Sequence, residues 1–269
     1  MTNSLDLARR FTALHGPAAP LALANAWDVV SARLVEASGA PAVATTSAGV
    51  AWSLGAPDGD ALSRDRALDL VARVAGAVSV PVTADIESGF GADPAGVAET
   101  VTGVLAAGAV GVNIEDGTRA PADHAERLAA ARAAADAAGI PLYINARIDT
   151  FLFGLGEEGT RLDETLARAA AYLRAGASGI FVPGVTDPAT VAELAKGIDA
   201  PLNVLAGPGA PSVGELGALG VARVSLGSWV AEAAYQLVRR ASAELVAGGT
   251  YAALADAAPY RELNDLLKG

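Results

Sequence analysis

The chain reads as an α/β protein, a single (β/α)8 TIM barrel with a C-terminal helical extension, and three observations predict it. Eight short apolar runs alternate with amphipathic helical patterns along nearly all of the 269 residues. That order lays parallel strands side by side with helices outside them. Helical patterns end in glycine before the next apolar run, the expected left-handed stop. No linker, low-complexity stretch or charge block splits the sequence, so residues 1–269 are expected to form one domain, with the barrel over about 20–245 and the extension over about 246–269.

The opening stretch, MTNSLDLARRFTALHG, is charged and amphipathic, lacks the apolar centre of a signal peptide, and reads as a helix that opens the domain. The strands then read LALANAW (21–27), AVATTS (42–47), PVTADIE (81–87), GVNIED (111–116), LYINARID (142–149), GIFVPG (179–184), LNVLAG (202–207) and RVSLGSW (223–229). Helical patterns fall at about 28–38, 64–77, 94–107, 123–138, 160–175, 188–197 and 211–219. Asp93-Pro94 and Asp187-Pro188 pair an N-cap with proline at the first helical position. A doubly wound open sheet is the alternative, but NAWDVV after the first strand carries no GxGxxG turn. Residues 230–269 exceed what one barrel helix needs and are expected to pack on another subunit or to close the barrel bottom.

Composition narrows the function. A net charge of −11 disfavours nucleic acid, whose binding rests on lysine and arginine. Every apolar stretch is broken by Gly, Pro or charge well short of the ~18 residues of a membrane span. With no cysteine there is no disulfide, thiolate metal site or cysteine nucleophile. A soluble cytoplasmic protein is the expectation. The alanine-rich runs are evidence of helix and of nothing else.

In a barrel the functional groups lie where strands end. Asp85 and Glu87, spaced i, i+2 in TADIESGFG, sit at such an end beside Gly89 and Gly91, with no Lys or Arg between them. Two such acids either hold a hard cation such as Mg²⁺, with Mn²⁺ as the alternative ion, or are a solvated turn. Other strand ends add Trp27 and Asp28, then Thr45, Thr46 and Ser47, then Glu115 and Asp116, then Asn145, Arg147 and Asp149, and finally Asn203. Asp85, Glu87 and Glu115 come from adjacent strands and can surround one ion. Arg147 offers forked contact to a substrate carboxylate, or else pairs with Glu115 or Asp149. The TTSAG turn is either a cradle of hydroxyls and amides for a carboxylate or enolate oxygen or an ordinary turn. Asp58, in SLGAPDGD, either returns to the rim or bonds its own backbone. Arg119 and His124 lie on the segment that would close over the site, and PADHAERL reads as the opening turn of a helix with His124 as a solvated residue, its catalytic role the lesser alternative.

TTSAGVAWSLGAPDGD, ADIESGFG, GVNIEDG and INARIDTFLFG, in this order, resemble the isocitrate lyase / phosphoenolpyruvate mutase superfamily, and the likeness runs from NAWD to RVSLG. The resemblance implies a (β/α)8 barrel with its last helix swapped between paired subunits, and a homodimer or homotetramer. It implies that Asp85 is the principal Mg²⁺ ligand and that Glu87, Glu115 and Asp58 help to hold the ion through water. Glu87 stands where many members have aspartate. By the same likeness Arg147 binds the substrate carboxylate, Thr46, Ser47 and Ala48 cradle a 2-oxo acid, and Asn203 falls near a strand-seven asparagine of lyase members. Trp27 joins the candidate substrate-binding set.

Departures from the family narrow the reaction. Isocitrate and methylisocitrate lyases carry K-[KR]-C-G after strand four, whereas this chain reads EDGTRAPADHAERL there. The lysine and asparagine of mutases and phosphonopyruvate hydrolases are missing from that short segment, and GIFVPG lacks the mutases' strand-six histidine. The expectation is therefore a Mg²⁺-dependent lyase that cleaves a C–C bond, by retro-aldol, decarboxylation or hydrolysis. Its substrate would be a small 2-oxo or 2-hydroxy dicarboxylate such as oxaloacetate, cleaved through a pyruvate-type enolate. Arg147, Asp58, Glu115 and His124 are its catalytic candidates. The alternatives are a non-catalytic 2-oxo acid binder, a phosphonopyruvate-processing mutase or hydrolase, and a phosphate-binding barrel enzyme using AGPGA and SLGS.

Overall fold

Residues 4–268 are described by a computed structural model, and the chain lays down nine parallel strands. These are β1 (Leu21–Leu23), β2 (Asn25–Ala26), β3 (Val43–Thr45), β4 (Val82–Asp85), β5 (Gly111–Glu115), β6 (Tyr143–Arg147), β7 (Gly179–Val182), β8 (Leu202–Leu205) and β9 (Arg223–Ser225). β1 pairs with β9 and β2 with β3. Because β1 and β2 are one stretch broken at Ala24, every strand has two neighbours and the sheet closes. The nine segments make the eight-stranded barrel that the sequence predicts.

Asn25 explains the break. Its Nδ2 donates to the Thr45 carbonyl at 2.9 Å, and its Oδ1 accepts from the Leu226 and Gly227 amides at 3.1 and 2.9 Å. One side chain thus ties the first strand to its neighbours on both sides.

The strands alternate strictly. Val82, Ala84, Val112, Ile114, Ile144, Ala146, Ile180, Val182, Leu202, Val204 and Val224 face outward and join the main core with the helices. Burial of that face drives the fold at about 25 cal/mol per Å². The intervening residues face the barrel axis, and many of them are polar.

Outside lie α2 (Val29–Ala37), α4 (Arg64–Ala77), α5 (Pro94–Ala106), α6 (Pro121–Ala137), α7 (Arg161–Arg174), α8 (Pro188–Gly197) and α9 (Val213–Ala218). Asp93 and Asp187 cap α5 and α8 as predicted, accepting from the Gly96 and Thr190 amides, each at 2.9 Å. Asp28, read as a rim residue, is instead the N-cap of α2, with its Oδ1 2.7 Å from the Ser31 amide. An additional helix, α3 (Ser47–Ser53), begins one residue after β3, whereas AVATTS (42–47) reads as strand throughout.

The barrel bottom is closed by the N-terminal helix α1 (Ser4–Ala13). Phe11 and Ala8 pack on Leu21, Leu23, Ala42, Ala44, Val110 and Tyr143. Gly111 must lack a side chain there, since a Cβ would lie 2.6 Å from the Phe11 ring. The C-terminal extension therefore does not close the bottom. Its first helix, α10 (Trp229–Gly248), buries only Ala231, and α11 (Tyr260–Leu266) folds back so that the Arg33 guanidinium donates to the Leu266 carbonyl at 2.7 and 3.0 Å. Among the described residues no helix is long and apolar enough to cross a membrane.

Candidate active site

At the carboxyl ends of the strands the inward-facing residues enclose a cavity of about 230 Å³. Its centre is Asp85, the last residue of β4. The α3 amide of Ser47 donates to Asp85 Oδ2 at 3.1 Å, and Asn113 Nδ2 reaches Oδ1 at 3.3 Å. Thr45 Oγ1 accepts the Asp85 backbone amide at 2.8 Å. Asn145 in turn donates to Asn113 Oδ1 at 3.1 Å, so three strands fix one carboxylate. Thr46, Ser47 and Ala48 line the same cavity, placed there by the start of α3.

Asp58 also lines it: the loop between α3 and α4 brings this carboxylate back to the rim. Burial first, and then the Asp85 charge, push its carboxyl above the usual range. Glu87 and Glu115 stand behind the cavity wall. Glu87 accepts from the Asp60 amide, and burial, with Asp58, Asp60 and Asp85 nearby, raises it to about 7. Glu115 is pushed up to about 8 by burial, against the pull of Arg147 and with Asp85, Asp149 and Asp58 adding to the rise. Glu87, Phe90 and Asp60 hold φ of 50°, 48° and 58°, left-handed backbone rare for residues with side chains. Such strain clusters at functional sites.

Arg147 makes both ion pairs the sequence left open, to Glu115 at 2.6 Å through Nη1 and to Asp149 at 2.6 Å through Nε, and it still lines the cavity.

Other expected residues fall elsewhere. Trp27 packs outside the barrel against the main core and Asn203 lies lower in the interior, its Oδ1 accepting from Ser225 at 3.2 Å; neither lines the cavity. Asp116 serves structure, accepting from Arg168 and Tyr172, each at 2.8 Å, and from the Asp149 amide at 2.9 Å. His124 is not solvated: it is fully buried in the first turn of α6, outside the cavity, 4.7 Å from the Tyr172 ring. Burial, then Arg119, Arg127 and Arg168, hold its pKa down to about 3. The segment after β5 does not cover the cavity either. Arg119 donates to Ser88 Oγ at 2.8 Å, and Arg127 donates to the carbonyls of Gly91 at 2.9 Å and Ala92 at 2.7 Å, so the segment staples the β4 loop.

The cavity also contains residues that sequence reasoning does not single out, namely Asn25, Thr83, Asn113 and Arg223 on the strands, with Leu152 and Phe181 at the mouth, and it takes in Ser225, Gly227 and Ser228 of SLGS. A polar residue at every second position of otherwise apolar strands was the available signal.

Among the described residues no three acidic or imidazole side chains form a ready-made ligand cage. The donor set nevertheless fits a hard divalent ion. Four carboxylates, three of them raised by burial and mutual repulsion, gather at one place, and a cation between them would relieve that repulsion. Asp85 and Asp58, which line the cavity, are placed to touch an ion, with Glu87 and Glu115 behind them to hold its water.

The phosphoenolpyruvate phosphomutase family model matches residues 11–246. The chain belongs to this family. A provisionally assigned lyase/mutase from Burkholderia cenocepacia J2315 is 40% identical, with a TM-score of 0.90 over 99% of this chain and 97% of that one. The 2-methylisocitrate lyase of Escherichia coli K12 is 32% identical over 68% of this chain and 64% of its own. A phosphonopyruvate hydrolase solved with oxalate and Mg²⁺ is 26% identical, with a TM-score of 0.82 over 97% of this chain and 94% of that one. Relatives in this family are thus enzymes of lyase and hydrolase type, and at least one binds Mg²⁺ with a small dicarboxylate.

Proposed function

We propose that this protein is a Mg²⁺-dependent lyase that cleaves a C–C bond in a small 2-oxo or 2-hydroxy dicarboxylate such as oxaloacetate, releasing a pyruvate-type enolate. The observation that carries this reading is the single cavity into which Asp85, Asp58 and Arg147 project beside the start of α3. Mg²⁺, held by Asp85 and Asp58 with Glu87 and Glu115 behind them, would supply Lewis-acid stabilisation of negative charge.

The chain's own groups have distinct tasks. Arg147, locked by Glu115 and Asp149, orients the substrate carboxylate with little loss of entropy. The Ala48 amide and the Thr46 and Ser47 hydroxyls donate to oxygen where charge develops, the Thr46 and Ser47 amides being engaged with Ala26 and Asp85. The segment after β5 brings no side chain over the cavity, and the cysteine acid of the lyases has no counterpart, so protonation of the enolate falls to solvent. Decarboxylation is the cleavage that least requires a protein acid. By the same reading the protein is a homodimer or homotetramer.

A second reading, a 2-oxo acid binder without turnover, is favoured by one observation: no side chain of the segment after β5 lines the cavity, and Arg119 is engaged with Ser88. Oxaloacetate, Mg²⁺ and a pyruvate-coupled assay separate the two. Pyruvate release that is lost in Asp85→Ala supports the lyase. Saturable oxalate binding with no turnover of any dicarboxylate supports the binder.

A further inference from the structure

Arg223 is the least explained charge in the molecule. It sits on the inward face of β9, directly across from Asn203 of β8, and lines the floor of the cavity. Only 3% of its surface is exposed, its Nε and Nη1 have no partner, and among the described residues no carboxylate lies within ion-pair distance. Burial holds its pKa down to about 10, although it remains charged at neutral pH. An unpaired buried guanidinium is costly, and a fold keeps one where an anion arrives to meet it.

The neighbouring orphans have the same bias. Asn203 Nδ2, Tyr143 Oη and Thr83 Oγ1 are buried without partners, and the orphan acceptors beside them are Asn145 Oδ1 and His15 Nε2, in the ring whose Nδ1 donates to the Phe11 carbonyl. Asn203 Oδ1 is already taken by Ser225, so its free group is the amide donor. The guanidinium and the Asn203 amide are donors carrying or flanking a fixed positive charge, and the two hydroxyls can turn their protons inward, a set that suits an oxyanion. Arg147, the other arginine of the cavity, is neutralised by Glu115 and Asp149, whereas Arg223 is not. The glycines at 111 and 179 make room for these two hydroxyls, since a Cβ at 111 would lie 2.8 Å from Thr83 Oγ1 and one at 179 would run into the Tyr143 hydroxyl.

Resting on the lyase reading, we propose that Arg223, on the cavity floor and with Asn203 beside it just beneath, is the receptor for the second carboxylate of the substrate, turned down the barrel axis while the first is held at the rim. The site thereby selects small dicarboxylates over monocarboxylic 2-oxo and 2-hydroxy acids.

The test is calorimetric, with Mg²⁺ present and three probes. Malate and lactate share a 2-hydroxy acid head and differ by the distal carboxylate, and oxalate is too short to leave the rim. Wild type should bind malate at least tenfold more tightly than lactate. Arg223→Met should weaken malate by roughly 10- to 100-fold, to the level of lactate, and leave oxalate within about threefold. Arg223→Lys should retain part of the preference. Asn203→Leu, which keeps the charge, should weaken malate severalfold and spare oxalate, so the proposal stays testable if Arg223→Met does not fold. The ligand-free Arg223→Met protein should melt no lower than wild type, because an uncompensated buried charge is gone. A lower melting point with equal weakening of all three probes would show a packing role and overturn the proposal, as would unchanged malate binding. Failure of oxalate to bind wild type would overturn the lyase reading itself, and this proposal with it.

Discussion

His15 and His124 are the chain's two histidines, and both are held neutral by burial, at about 4 and about 3. In each the folded pKa lies below the ordinary value, so protons favour the unfolded chain. Stability from these rings is fully present above about pH 6.5 and is lost as pH falls toward 4, by on the order of 3 kcal/mol for His15 and more for His124. Denaturant titrations from pH 7 to 4 should show that loss, and His124→Leu should shed its share of the slope. An unchanged slope would contradict it. The strand-end acids were legible because each ends an apolar run with a charge. Arg223, Thr83 and Asn113 were not, because one polar residue in a buried strand reads as tolerated noise until closure of the barrel shows that alternate positions face a cavity. His124 was misread for a related reason. The inward stripe of α6, His124, Arg127, Leu128, Ala131 and Ala135, keeps helical spacing but begins with two polar residues.

At the scale of elements, the cavity depends on loops that are tied rather than loose. Arg127 from α6 holds the carbonyls of Gly91 and Ala92, and so fixes the left-handed turn that carries Glu87. Arg127→Met should cost about 2 kcal/mol of stability or more, since three charge-assisted hydrogen bonds go, to Ser88, Gly91 and Ala92, and should speed amide exchange over residues 86–92. Exchange as slow as in wild type would show that the strained turn holds itself. The strands and outer helices were legible in order and in their caps, because Asp-Pro starts and glycine stops act within a few residues. Helix α3 was not, because TTSAG carries no apolar period long enough to separate helix from turn. The switch of partner at Ala24 was equally hidden, since it depends on Asn25 reaching two strands that are distant in sequence.

The whole molecule leaves one face unmatched. Along α10 and the chain after it, Val238 and Val246 are 61% and 87% exposed, with Leu245 and Tyr251 also on the surface. An apolar patch of this kind on a chain of net charge −11 calls for a protein partner, and a second copy fits the swapped helix that the family likeness implies. Light scattering after size exclusion should give a dimer or tetramer, and Val238→Glu with Val246→Glu should shift it to monomer. A monomeric wild type would contradict this. The barrel itself was legible because its alternation is global and repeated eight times, whereas the mate of a helix that packs outside its own barrel leaves no mark in a single sequence. The central claim remains the site around Asp85. Its most direct test is pyruvate release from oxaloacetate with Mg²⁺: wild type should turn over with saturation, and Asp85→Ala should fall by at least 100-fold, about 2.7 kcal/mol of transition-state stabilisation. Equal release by both proteins would contradict the account.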